Sequence, residues 1–254
     1  MSRVHRARLA AALAASLAFA LMAASRAHGE TDAEKAVPPA WDVRDATPGV
    51  GLSLQELRRW TKGTKQGVDY RLVVSGLPKD KVFKLWQKNL GREPELAFLT
   101  VYLDGSGAVV FEGSGRKFEQ VTLSLYDFAK GEPMEYALIS TDQTVRAFTR
   151  VVLFPIEAKD GECLLSVQLG SREGDLFLVM GRGFEPEGDV TTESHSNGEV
   201  LRDKSRLSRD GKFATVVAPA VEGRHSGKAS FTASGKGCSP TVEYEWGPPA
   251  LKKQ

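Results

Sequence analysis

From Tyr70 to Trp246 apolar side chains recur at every second position in short runs, and Gly, Pro or Asp-Gly interrupts the runs about every ten residues. A period of two sends neighbouring side chains to opposite faces, so these runs predict half-buried β-strands. YRLVVSGLP reads as a strand ended by Gly76 and Pro78. FLTVYLDGSGAVVF reads as two strands joined at residues 104–107, where Asp and Gly accept the positive φ of a hairpin turn. FEQVTLSLYDF places Val121, Leu123 and Leu125 on one face, and MEYALIS and VRAFTRVVLF follow. Two stretches fit both periods. GLSLQELRRWTKG has Ser53 and Glu56 in capping-box spacing and Leu54, Leu57 and Trp60 at helical spacing, yet it also suits an edge strand. KVFKLWQKNL fits a helix through Phe83, Trp86 and Leu90, or a strand over residues 82–86.

The only two cysteines bracket the second half. Read CLLSVQLG as a strand, and Cys163, Leu165, Val167 and Leu169 share a face; read CSPTVEYEWG likewise, and Cys238 joins Val242, Tyr244 and Trp246. Both thiols then point inward from the first and last strands of one unit, ready to bridge its core in an oxidising compartment. Between them LFLVMGRGF is apolar on both faces, as a central strand is. DVTTESHS and VLRDKSRL are polar, SRDGKFATVVAP is a turn and a strand, and GKASFTASG turns Ala229, Phe231 and Ala233 inward. Short strands at this rhythm predict all-β sandwiches.

The halves echo each other. VVSGLPKDKVFKLW aligns with VMGRGFEPEGDVTTE, LDGSGAVVF with RDGKFATVV, KGEPMEYALIS with HSGKASFTASG, and VVLFP with YEWGP. A duplication predicts a strand at VFKLW, with Trp86 in a core, and a first domain over residues 47–160 followed by a second over 161–247 and a tail over 248–254. Residues 30–46 are polar with a Pro pair, a linker or mobile arm that Trp41 could pin to the body.

The N-terminus changes the reading of charge. MSRVHRAR, an Ala- and Leu-rich run and SRAHGE form a secretory signal over residues 1–29, with cleavage after Ala27 or Gly29 equally suited. Its removal takes away Arg3, Arg6, Arg8 and Arg26 and no acid, which turns the formal charge of +2 into −2. Net charge then gives no case for nucleic acid as a partner. No later stretch approaches the roughly 20 apolar residues of a membrane span, and no cysteine near the cleavage site invites a lipid. Export in turn makes the disulfide plausible, and closing a loop of about 75 residues is worth about 4.5 kcal/mol in the chain-entropy model. A lone pair without CxxC spacing reads as structural and not as redox-active.

GRGFEPEGDV, SRDGKFATVVAP, EGRHSGKASFTASG and VEYEW together resemble the bacterial immunoglobulin-like repeats of secreted and cell-surface proteins, of the TIG or Big type. The likeness covers the second domain and extends loosely to the first. It implies two tandem immunoglobulin-like β-sandwiches in an exported protein and no activity; the cysteine bridge, read on outer strands, departs from the central-strand bridge of antibody domains.

Chemistry is sparse. Glu193 and His195 share a strand face and His225 could approach from a loop, at best a partial metal site beside the plainer reading of a solvated polar edge. There is no Gly-x-Ser-x-Gly elbow, and the Asp104 loop lacks the alternating carboxylates of a calcium loop. No cofactor is called for. Trp60, Trp86, Trp246 and Tyr126 could stack sugars if two were exposed on one sheet face, although strand phase puts Trp86 and Trp246 in cores. Exposed strand edges could bind peptide by strand addition. The sequence thus predicts a non-enzymatic protein of the periplasm or extracellular space, for adhesion, scaffolding or protein recognition, with carbohydrate binding as the alternative.

Overall fold

A computed structural model describes residues 38–254 apart from 105, 107 and 113. The signal sequence at 1–29 and residues 30–37 of the arm lie outside the described residues. The rest, Pro39–Gln254, is one all-β unit. Its first eight strands are β1 (Gly51–Lys62), β2 (Lys65–Ser75), β3 (Val82–Asn89), β4 (Glu95–Leu103), β5 (Val109–Phe111), β6 (Thr122–Tyr126), β7 (Pro133–Ser140) and β8 (Arg146–Val152). The second eight are β9 (Ile156–Asp160), β10 (Cys163–Leu169), β11 (Phe177–Arg182), β12 (Asp189–Ser196), β13 (Glu199–Arg206), β14 (Phe213–Val217), β15 (Gly227–Ser234) and β16 (Thr241–Trp246). All pair antiparallel.

Four sheets result, with strand orders β1-β2-β6, β5-β4-β3-β7-β8, β9-β10-β11-β14 and β13-β12-β15-β16. The first two face each other across a core that includes Val68, Tyr70, Leu72, Phe83, Leu85, Tyr136 and Leu138. The other two enclose Leu165, Val167, Phe177, Val179, Phe231, Tyr244 and Trp246. Alternation along each strand accounts for both sets, as in any sheet wet on one face.

The two pairs of sheets have corresponding strand orders. β1, β2, β3, β4, β6, β7 and β8 occupy the same places in the first sandwich as β10, β11, β12, β13, β14, β15 and β16 in the second, in the immunoglobulin-like order. Gly76 and Gly183 end β2 and β11 with φ of +70° and +80°, and a Cβ on either would lie 2.0 or 2.1 Å from a backbone oxygen, Gly49 O and Glu162 O respectively. Each closes the corresponding corner, Gly76 against the chain entering β1 and Gly183 against the chain entering β10, and only glycine fits there.

Several expectations need correction. The echo between LDGSGAVVF and RDGKFATVV is misplaced: β5 extends the β4 sheet, whereas β14 pairs with β11 and corresponds to β6. β9, assigned by sequence to the first domain, pairs with β10 and belongs to the second sheet system. Residues 51–62 are strand: Leu52, Leu54 and Trp60 register against β2, and Leu57 falls at the bulge between Glu56 and Arg58. The tail at 248–254 forms a 3-10 turn, Pro248–Leu251, and runs back to the first sandwich. There Gln254 N donates to Phe128 O (3.0 Å), Gln66 N to Gln254 O (3.4 Å) and Lys253 Nζ to Glu132 Oε2 (2.6 Å). At the same junction Leu169 N donates to Gly131 O (2.9 Å), and Ala129 and Leu90 pack against the second core.

Within the arm, Trp41 lies on the outer face of the five-stranded sheet. Its ring meets Phe148 edge-on at 5.5 Å, its Nε1 donates to Glu135 Oε2 at 2.7 Å, and Lys88 sits over it. Thr47 then binds both backbone groups of Arg146 at the start of edge strand β8: Arg146 N donates to Thr47 Oγ1 (2.9 Å) and Thr47 N donates to Arg146 O (2.8 Å).

Candidate functional site: an open strand edge beside a polar sheet face

The disulfide joins Cys163 and Cys238, with Cα atoms 6.2 Å apart. Cys163 is buried at the start of β10, an inner strand flanked by β9 and β11. Cys238 is half-buried in the β15–β16 turn, where Gly235 N donates to its carbonyl, so it precedes the last strand and does not sit on it. The outer-strand assignment fails because the β16 ladder begins at Thr241. The bridge fastens the two sheets at the end remote from the first sandwich, since the other end of β10, Leu169, bonds to Gly131.

The aromatics separate into two kinds. Trp246 is buried in the second core; Trp86 is buried too, but not in the first core as its phase predicts, because Leu85 takes the inward position of β3 and Trp86, beside Ala137, lies on the other side of the sheet from Tyr136 and Leu138. Trp60 and Tyr126 flank Gly67 in one cross-strand row of the β1-β2-β6 sheet, on its outer face. Trp60 covers Gly67, and their rings are 6.0 Å apart and tilted by 52°. An aromatic laid over a cross-strand glycine restores packing that the glycine lacks. Beneath it Asp69, only 3% exposed, accepts from Arg58 Nε (2.6 Å), Trp60 Nε1 (2.9 Å) and Ser124 Oγ (2.7 Å). The Arg58 guanidinium, then the Ser124 hydroxyl, hold this carboxyl below its ordinary range.

Glu193 and His195 do share the outer face of β12, and their side chains touch. The Glu193 carboxylate is also paired with Arg202, which lowers its pKa, His195 adding to the effect. His225 lies in the loop before β15. Among the described residues no group of three His, Cys, Asp or Glu side chains is placed to hold a metal ion. Around this face run Thr232 and Thr241, hydroxyl to hydroxyl at 2.8 Å, and Ser234 and Ser239 at 2.7 Å. A groove of about 940 Å³ opens where the two sandwiches meet, with Lys130, Lys228 and Lys252 opposed by Glu157, Glu243 and Glu245 along its walls. Its mixed charge makes it a wet crevice. Among the described residues no helix is long and apolar enough to cross a membrane.

The strand edges differ in how they end. β5 is three residues long, β8 has Thr47 on its edge, and β1 carries a bulge between Glu56 and Arg58 and lies against β8. Short length, cover and bulges all discourage further pairing. β13 is neither short nor bulged, although β14, which follows it in the chain, comes near it. It is eight residues of unbroken register against β12, and every residue but Ser205 is exposed, Val200 at 50% and Leu201 at 69%.

The turn that makes β13 also sets which backbone groups it offers. Asn197 and Gly198 have φ of +47° and +90°, a two-residue hairpin turn in which Ser196 and Glu199 form the hydrogen-bonded pair. Bonded and non-bonded pairs alternate from there, so Val200, Arg202, Lys204 and Arg206 direct N–H and C=O away from β12. Lys204 N accordingly donates to the Asp203 carboxylate at 2.7 Å and not to the ladder.

No protein-family model matches the chain, and no curated protein does. Among solved structures it is similar to a tetra-tandem repeat from the extending region of a large adhesion protein, at 9% identity and a TM-score of 0.27. The match covers 78% of this chain and 48% of that one, so the chain spans about half the length of that structure.

Proposed function

We propose that this chain is an exported, non-enzymatic recognition protein that takes an extended segment of a protein partner along β13. Two immunoglobulin-like units, divided at residues 155–156, act in this reading as a rigid spacer. The observation that carries it is the edge of β13, where Val200, Arg202, Lys204 and Arg206 direct N–H and C=O toward a fifth strand, Lys204 N alone among these groups being taken by the Asp203 carboxylate. Strand addition supplies main-chain bonds along such an edge, and side-chain pockets or charges supply choice. Export is supported by the signal-like residues 1–29 and by the disulfide, a bond typical of oxidising compartments. The junction bonds from Leu169, Lys253 and Gln254 support a fixed angle between the units.

A glycan partner is the second reading, favoured by the Trp60 and Tyr126 pair on one sheet face. Their 52° tilt gives no single flat platform, which places it second. The two readings part in one experiment. The mature chain, immobilised, is used to capture partners from an envelope extract beside two variants, Lys204→Pro and Trp60→Ala. Proline at 204 removes an outward N–H, with its bond to Asp203, and the Lys204 cation, and so blocks the edge without taking a donor from the β12 ladder. Loss of a bound protein in Lys204→Pro alone supports the edge. Retention there, with loss of glycan-array binding in Trp60→Ala, contradicts it.

A further inference from the structure

β13 carries Arg202, Lys204 and Arg206 at alternate positions, so all three side chains rise on one face. They are also residues whose backbone groups point to the open side. Toward β12 the row is balanced, because Glu193 pairs with Arg202 and Asp189 is the register partner of Arg206. Toward the open side Lys204 N is held by the neighbouring Asp203 carboxylate. A second copy of β13 laid antiparallel along it would set cation against cation, and like charges directly opposite each other oppose pairing. An incoming strand with carboxylates at every second position would instead complete three cross-strand ion pairs while its backbone bonds the edge.

We propose that the occupant of this edge is an extended segment of a partner protein with Asp or Glu at alternate positions, three of them facing Arg202, Lys204 and Arg206. This rests on the reading that β13 is the recognition edge, and it names what that edge selects. Main-chain bonds are indifferent to sequence; the charge row discriminates.

The test titrates the full mature chain with two synthetic acetylated heptapeptides, one alternating Glu with Val and Thr, the other identical but with Lys for Glu. Three opposite-charge pairs give the Glu peptide roughly tenfold or greater advantage. Raising salt to about 0.5 M narrows it, since the pairs are exposed. The triple variant Arg202→Glu, Lys204→Glu, Arg206→Glu inverts the preference, with circular dichroism confirming its fold. Equal affinities, or no binding of either peptide to the unmodified chain, overturn the proposal. With a captured partner, loss of binding in Lys204→Pro but not in the triple variant leaves the edge reading standing and removes the acidic preference. Indifference to both variants removes both.

Discussion

Removing the disulfide, by reduction or by the double change Cys163→Ser and Cys238→Ser, tests how the second sandwich is held. The bond closes a loop with a sequence separation of 75. Loop closure then contributes about 4.5 kcal/mol through the unfolded state, and about 2–4 kcal/mol is the usual yield. The bridge sits at the end of the sandwich remote from the junction, where no bond to the first half substitutes for it, so little compensation is expected. How the loss reads out depends on cooperativity. The tail and the Gly131–Leu169 contact bind both cores, so Pro39–Gln254 is expected to melt as one unit. For a unit of that size each kcal/mol moves Tm by about 2–4 °C, so the shift is about 4–16 °C. Differential scanning calorimetry with and without reductant measures it, and mass spectrometry after alkylation confirms the state of the thiols. A Tm within about 2 °C of the oxidised protein refutes the loop-closure argument. Two separated transitions, only one of them moved by reductant, refute the shared cooperativity.

Three further outcomes follow from particular residues. Gly76→Ala and Gly183→Ala should each cost at least about 2 kcal/mol, because a left-handed φ and a backbone oxygen both oppose the new methyl, whereas Gly161→Ala, also left-handed but in open space, should cost about 1; urea unfolding compares them. Asp69→Asn should destabilise by about 1–3 kcal/mol at neutral pH through weaker bonds to Arg58, Trp60 and Ser124. The Asp69 carboxyl titrates lower when folded, so its contribution is complete above the unfolded pKa of about 3.9 and fades as pH falls through the folded value; the difference between wild type and variant should be flat from pH 7 to about pH 5 and shrink below about pH 4. Deleting residues 252–254 removes the bonds of Lys253 and Gln254 to the first sandwich, and it should cost about 2 kcal/mol and split the calorimetric transition.

Much of the fold was legible because its core is written in a period of two. Ala229, Phe231 and Ala233, and Val242, Tyr244 and Trp246, face inward as their alternation requires. Gly76 and Gly183 mark equivalent corners because both need positive φ. The misplacements have a physical origin too. Asp-Gly turns look alike wherever they fall, so Asp104 and Asp210 were matched although one joins strands within a sheet and the other leads into a strand of the opposite sheet. Cys238 alternates in phase with β16, yet alternation does not show where a ladder begins, and the chain turns until Thr241. The Asp69 cluster draws on β1, β2 and β6, and its Ser124 is 55 positions from Asp69, so no spacing announces it. β13 did leave signals, Asn197-Gly198 as a hairpin turn and the alternating Arg202, Lys204 and Arg206. Its being an edge depends on the strand order of the whole sheet, which the sequence pattern does not contain.

Backbone amide exchange on the mature chain, free and with a captured partner bound, tests most directly whether β13 is the recognition edge. Strand addition predicts that the outward amides of Val200, Arg202 and Arg206 exchange slowly only in the complex, while the β1-β2-β6 face is unchanged. Unaltered exchange along β13, with protection appearing around Trp60 and Tyr126, would contradict it.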